Sequence, residues 1–268
     1  MTLIKYFFCF LFCASIFSCN NNEEATKPNV PTSVPLQEAD LKAALQQHPD
    51  SLLLLQNLVQ YYTNAQNYDA ALASINQALA KDSIRPDLLD LKSIVAAQKG
   101  DTSLAIKSLE KAIGILPDPQ YIIAIGALYA ETSNPLALEM ADALLIGAKA
   151  KAEKEAYFIK GLYYTYKNEK EKAIPFFGKS IAASYTFMEA WLEKGLAYYD
   201  LKKYKEAANV LEKAITIQNN FDKGYYYLGL CYEKLNRTEE AIQAYQMALN
   251  YDPDYVEVKD ALGRLGIK

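Results

Sequence analysis

Residues 222–255 decide the fold, and they read DKGYYYLGLCYEKLNRTEEAIQAYQMALNYDPDY. Their apolar residues recur every three to four positions, which is the period of an α-helix. The segment predicts one helix, a tight turn and a second helix, which Pro253 ends because proline cannot continue a helix. The residues that set this pattern are Tyr225, Leu228, Gly229, Tyr232, Ala241, Tyr245, Ala248 and Pro253.

The same pattern returns when the sequence is shifted back by 34 residues. One step gives Trp191, Lys194, Gly195, Tyr198, Ala207, Leu211 and Ala214. A second step gives Tyr157, Lys160, Gly161, Tyr164, Ala173, Phe177 and Ser180. The three units follow one another without a gap, so the chain is built from a repeat.

This pattern resembles the tetratricopeptide repeat (TPR), which has large residues at positions 4, 7, 11 and 24, small ones at 8, 20 and 27, and proline at 32. Small residues let the two helices of a unit approach closely, and large ones fill the space between them. The resemblance implies an all-α fold, an α-solenoid in which the units form a right-handed superhelix.

Six units account for most of the chain, with a capping helix expected at each end because a terminal repeat otherwise exposes its apolar face. The third unit is degenerate: Gly126 and Tyr129 lie one residue early, and Asn134-Pro135 lengthens the turn. The predicted segments are 37–51 for the first cap, 52–85, 86–119, 120–153, 154–187, 188–221 and 222–255 for the units, and 256–268 for the last cap.

The N-terminal 36 residues predict a signal peptide followed by a flexible tether. Residues 1–18 carry one charge and a dozen apolar residues, as a signal peptide does. Ile16-Phe17-Ser18-Cys19 resembles the bacterial lipobox, which implies cleavage before Cys19 and acylation of that cysteine. Ordinary signal-peptide cleavage and an uncleaved anchor are the alternatives. Residues 19–36 are polar and proline-rich, which favours a flexible tether.

Composition excludes several kinds of function. The chain has 28 basic and 32 acidic residues and a net charge of −4, whereas nucleic-acid binding requires a basic surface. It has one His and four Cys, and it lacks phosphate-loop, nucleophile-elbow and HExxH motifs. We therefore expect no nucleic acid, no metal, no cofactor and no catalytic residues. An enzyme or enzyme subunit without a recognisable motif is the alternative from another class.

The repeats are expected to form a groove that binds a partner. In TPR proteins the first helix of each unit lines a concave face, and positions 2, 5, 9 and 12 lie on the side of that helix opposite the packing residues. Some of these side chains are instead expected to pack against a neighbouring helix. The predicted binding residues are Asp90, Ile94, Phe158, Leu162, Leu192, Leu196, Tyr199, Tyr226, Leu230 and Glu233.

Together these features predict a scaffold or adaptor that binds a protein partner, as a helix or an extended peptide, in its concave groove. We expect a lipid anchor at Cys19 to hold it in the bacterial cell envelope, with the outer membrane favoured and the folded domain in the periplasm or at the cell surface. Envelope assembly or secretion is the implied process. A soluble periplasmic adaptor is the main alternative.

Overall fold

The computed structural model describes residues 37–267, and within that range it contains 14 α-helices and no strand. The signal peptide, Cys19 and the tether lie outside the described residues. In chain order the helices are α1 (Glu38–Gln47), α2 (Leu52–Asn64), α3 (Tyr68–Lys81), α4 (Pro86–Lys99), α5 (Thr102–Ile115), α6 (Pro119–Glu131), α7 (Leu136–Gly147), α8 (Lys149–Tyr166), α9 (Lys170–Ala183), α10 (Met188–Asp200), α11 (Tyr204–Ile217), α12 (Asp222–Lys234), α13 (Thr238–Tyr251) and α14 (Val256–Arg264).

The chain divides into two units of structure, one ending at Tyr121 and one beginning at Ile122. In the first, α1 to α5 pack in sequence, each on the next. In the second, α7 to α14 do the same, and α6 lies close to α7 and α8 at Gly126. Consecutive antiparallel helix pairs without strands make the fold all-α, in the α-solenoid class that the sequence predicts.

The turn between the two helices of a repeat has a recurring backbone. A residue with positive φ occurs once in each of six turns, and all of them except Gly100 carry a side chain. The residues are Gln66, Gly100, Ser133, Asn168, Lys202 and Asn236. Five of the six keep the 34-residue period, and Ser133 comes one residue early, which is the shift that Gly126 and Tyr129 show in the sequence. The turn then takes one more residue before α7, and the period is restored.

Glycine at position 8 brings the helices of the later repeats together. A Cβ added at Gly161 would overlap the ring of Phe177, and one at Gly229 would overlap the ring of Tyr245. At Gly195 the added atom would lie 2.9 Å from the side chain of Leu211. The large partner stands at position 24 in each case, so the small and large positions of the sequence pattern are in contact across the hairpin.

Both ends of the described chain are covered by single helices. Leu41 of α1 is buried, and the hydroxyl of Tyr62 donates a 2.8 Å hydrogen bond to Glu38. At the other end α14 buries Val258, Ala261 and Leu262 beside α13. Within residues 37–267, none of the helices combines the length and apolar character needed to cross a bilayer.

Candidate functional site

Five tyrosines of the second unit form a surface on its first helices and the following cap. We call Tyr166, Tyr199, Tyr226, Tyr227 and Tyr255 the tyrosine face. The ring of Tyr226 lies 5.0 Å from that of Tyr227 and 5.2 Å from that of Tyr255. None of the five is fully buried. Partial burial raises the pKa of each of the five hydroxyl groups, in the case of Tyr227 to about 12.

Two carboxylates lie beside this surface. Glu131 of α6 and Glu193 of α10 are half-buried, and both are close enough to Tyr166 for their charges to raise its pKa further. Burial raises the pKa of Glu131 and that of Glu193 to about 7. The nearest cation to Glu193 is Lys170, whose ammonium is ion-paired with Asp200. Near neutral pH these two carboxyl groups are therefore poised between the neutral and charged forms.

The far end of the tyrosine face is held by a third carboxylate, Glu233. The hydroxyl of Tyr245 donates a hydrogen bond to its Oε1 atom, and Nη2 of Arg264 lies 3.4 Å from the same oxygen. Because Tyr245 packs beneath Gly229 and its ring lies 6.1 Å from that of Tyr226, this hydrogen bond connects the core of the repeat to its binding side. Glu233 is thus fixed in place and already partly neutralised.

This arrangement is chemically suited to one class of ligand. Tyrosine rings offer apolar area with a polar edge, and their faces attract cations. Carboxylates next to them accept hydrogen bonds from ammonium or guanidinium groups. The surface formed by the tyrosine face with Glu131 and Glu193 therefore complements a peptide that carries apolar side chains and a Lys or Arg.

The first unit presents a different surface at the equivalent place. Asp87, Asp90 and Asp118 lie close together near Tyr121. Arg85 donates hydrogen bonds of 2.8 and 2.5 Å to the two oxygens of Asp87, which lowers the pKa of that carboxyl group. Asp90 has no such partner, and burial together with the other two aspartates raises its pKa to about 6.

The structure corrects the predicted groove at three residues. Phe158, Leu162 and Leu192 are only 2%, 7% and 8% exposed, so they pack inside the repeats and do not line an open surface. The Phe158 ring lies edge-on to that of Phe187 at 5.1 Å. These three side chains pack against a neighbouring helix, which is the alternative that the sequence left open. The remaining predicted residues are half-buried: Asp90, Ile94, Leu196, Tyr199, Tyr226, Leu230 and Glu233.

Sequence reasoning missed five residues of the site: Glu131, Tyr166, Glu193, Tyr227 and Tyr255. Tyr166, Glu193 and Tyr227 stand at positions 13, 6 and 6 of their repeats, beside the positions chosen from the sequence, and Tyr255 stands just before the last cap. Positions 6, 9 and 13 form a continuous helical stripe, because they are spaced by three and four residues. That stripe is the signal by which they are recognised. Glu131 was not identified because the predicted groove includes no residue of the degenerate third repeat.

Comparison with known proteins places this site in a family. One profile described as tetratricopeptide repeat matches residues 57–118 and 161–222, and a second with the same description matches 198–265. Together the matches cover more than half of the chain. The chain is a tetratricopeptide-repeat protein. Residues 119–160 fall outside both matches, and this gap contains the whole of the degenerate third repeat.

Solved structures with the same fold include other TPR proteins. A tetratricopeptide repeat protein from Parabacteroides merdae ATCC 43184 aligns with a TM-score of 0.65 and 19% identity over 84% of this chain and 90% of that one. PilW, described as a type IV pilus biogenesis factor, aligns with a TM-score of 0.62 and 18% identity over 78% and 97%. At these identities the likeness concerns the fold alone. No curated protein sequence gives a significant match.

Membership of the TPR family indicates a general kind of function. TPR repeats bind protein or peptide partners, and the proteins that contain them are generally scaffolds without catalytic activity. Neither matching profile belongs to a catalytic family.

Proposed function

We propose that this TPR protein is a scaffold that binds a segment of another protein on the tyrosine face. The observation that carries the proposal is the meeting of half-buried tyrosines with the carboxylates of Glu131 and Glu193 in the second unit. The bound segment has apolar residues that cover the rings and one Lys or Arg that reaches the carboxylates. Tyrosine-rich surfaces suit such binding because each ring buries a large area at low entropic cost.

Photo-crosslinking in cells tests this proposal. A benzophenone side chain replaces Tyr166 or Tyr227 on the tyrosine face, and Tyr185 in the matched control. Tyr185 belongs to the same unit but is 58% exposed, and its ring lies edge-on to that of Trp191 instead. We expect Tyr166 and Tyr227 to capture the same partner segment, mapped by mass spectrometry, and Tyr185 to capture none of it.

The sequence of the captured segment provides the decisive readout. A segment with a Lys or Arg between apolar residues supports the proposal, and the double variant Glu131→Gln/Glu193→Gln then weakens its binding at pH 8. Capture by Tyr185 at the same yield, or a captured segment without a basic residue, refutes it. Both substitutions keep the size of the side chain, which preserves the packing of α6 and α10.

We further propose that acylated Cys19 anchors the protein in the bacterial envelope, where it acts in the assembly or secretion of envelope components. The support is the sequence Ile16-Phe17-Ser18-Cys19 after an apolar leader. Labelled palmitate tests the anchor: we expect incorporation in the wild type and in Cys13→Ser, and none in Cys19→Ser. Equal labelling of Cys19→Ser contradicts acylation at Cys19, and absence of label from the wild type favours a soluble periplasmic adaptor.

A further inference from the structure

Lysine pairs recur in the repeats at places where folding does not call for them. Repeat positions 7 and 26 are both lysine in three units, as Lys92 and Lys111, Lys160 and Lys179, and Lys194 and Lys213. The first and last units have Leu58 with Gln77 and Leu228 with Met247 instead. Position 7 normally packs as a large apolar residue, so a paired lysine there adds desolvation and like-charge repulsion to the folded state.

The pair in the fourth repeat is compensated by the chain itself. Lys160 donates a 2.6 Å hydrogen bond to Asp142, and the ammonium of Lys179 lies 5.5 Å from the ring centroids of Tyr157 and Phe176. One lysine thus has a carboxylate and the other has two aromatic faces. This pair has a role within the fold.

The pair in the second repeat lacks such compensation. Among residues 37–267, no hydrogen bond or ion pair holds the ammonium group of Lys92, Lys107 or Lys111. Lys92 is half-buried, and its pKa is lowered first by burial and then by the charge of Lys111. The folded state therefore holds three ammonium groups close together without a hydrogen bond or ion pair to any of them.

These lysines surround a groove between α4 and α5 with a volume of about 390 Å³. Half-buried Leu104 contributes apolar surface to it, buried Leu89 lies beneath its floor, and Glu110 is the one carboxylate in its lining. The groove thus combines apolar surface with an excess of positive charge, the opposite of the acidic surface around the tyrosine face. A different ligand is required here.

We propose that this groove binds an acidic peptide segment of a partner protein, in which Glu or Asp alternates with apolar residues. Its carboxylates bind Lys92, Lys107 and Lys111, and one of its apolar side chains contacts Leu104. The shape of the site favours a peptide over a membrane, because a flat layer of lipid phosphates does not enter a groove between two helices. This second site gives the scaffold two partners of opposite charge, and it does not depend on the tyrosine face.

Calorimetry with the full chain and a synthetic peptide tests the proposal. The probe is the blocked hexapeptide Leu-Glu-Leu-Glu-Leu-Glu, and its control has Gln in place of Glu. We expect the acidic peptide to bind, with weaker affinity at higher salt, and the Gln peptide not to bind. The double variant Lys92→Leu/Lys111→Leu should bind the acidic peptide at least tenfold more weakly.

A matched variant separates the groove from general charge. Lys194→Leu/Lys213→Leu removes the same charge at the same repeat positions in the second unit, and we expect it to bind the peptide as the wild type does. An equal loss in both variants refutes the assignment to the groove. Absence of peptide binding to the wild type overturns the proposal, and so does lysine-dependent sedimentation with phosphatidylglycerol vesicles in its place.

Stability provides a readout that does not need a ligand. Leucine is the residue of the first and last repeats at position 7, so Lys92→Leu should fold and should raise the melting temperature of the free protein. A lower melting temperature would mean that the fold itself holds the Lys92 ammonium in place. That outcome also overturns the proposal.

Discussion

In the first unit, second helices begin at residues whose side chains accept a hydrogen bond from the helix, whereas the last three second helices of the second unit lack such a cap. Asn67 accepts from the backbone of the third helical residue at 3.2 Å, and Asp101 does so at 2.9 Å. Two, three and four repeats after Asp101, the same place is taken by Glu169, Lys203 and Arg237, which make no such bond.

The cores of the hairpins differ in the opposite sense. In the second unit position 8 is Gly161, Gly195 or Gly229, each beneath a large side chain of the paired helix. In the first unit it is Val59 or Ser93, both buried. The hairpins of the first unit therefore have a helix cap at the turn, and those of the second unit have a close helix crossing at glycine. A repeat tolerates the absence of one stabilising feature, the helix cap or the close helix crossing, when the other is present.

The largest expected effect breaks the helix crossing. Gly229→Ala places a methyl group against the ring of Tyr245, and Gly161→Ala places one against Phe177. We expect each to destabilise the protein by about 2 kcal/mol through overpacking. Gly263→Ala is the control, because its Cβ has no neighbour within 4 Å, and it should be neutral or stabilising. Thermal unfolding measured by circular dichroism gives the comparison, and equal effects at all three sites would contradict it.

Titration of the second unit gives the next effect. The pKa of Glu193 in the folded chain is about 7, above its ordinary value of 4.5. Between these values the folded state holds a proton that the unfolded state releases, so stability falls as the pH rises from about 5 to 7. Glu193→Gln removes this part of the slope and should stabilise the protein by about 1 kcal/mol at pH 8. Exposed Glu206→Gln is the control, and an unchanged slope in Glu193→Gln would refute the assignment.

A third pair of substitutions exchanges the turns of the two units. Asp101→Ala should destabilise the protein by about 1 kcal/mol, because the amide of Leu104 loses its acceptor. Lys203→Asp should stabilise it by a similar amount, since it supplies the acceptor that the start of α11 lacks. Urea unfolding measures both changes. If Lys203→Asp leaves the midpoint unchanged, helix starts do not distinguish the units.

The smallest effect concerns the residue with positive φ. Gly100 has φ of 90° and open space around its missing Cβ, so Gly100→Ala tests backbone strain alone. We expect a loss of about 1 kcal/mol. Lys202 has φ of 59° at the equivalent place, and Lys202→Gly should gain a few tenths of a kcal/mol. Opposite signs in urea unfolding sharpen the comparison, whereas two losses would contradict it.

The helices were predictable from the sequence because the 34-residue pattern specifies both packing partners, as Gly229 and Tyr245 illustrate. The site was predictable only in part. Helical position alone does not say whether an apolar residue such as Leu192 faces a groove or a neighbouring helix, since that depends on how far the next hairpin overlaps it. Glu193 becomes noticeable only when its burial and its distance from Tyr166 are known.

The early turn at Ser133 has a consequence for how this gene tolerates change. Helix α6 begins and ends one residue earlier than the 34-residue period predicts, and the link before α7 is one residue longer, so α7 begins where the period predicts. Loss of one residue from the link alone would leave three residues, the length found in four of the other five turns, and would put every later repeat one residue out of the 34-residue period. The period of 34 survives downstream because the early end of α6 and the longer link cancel each other.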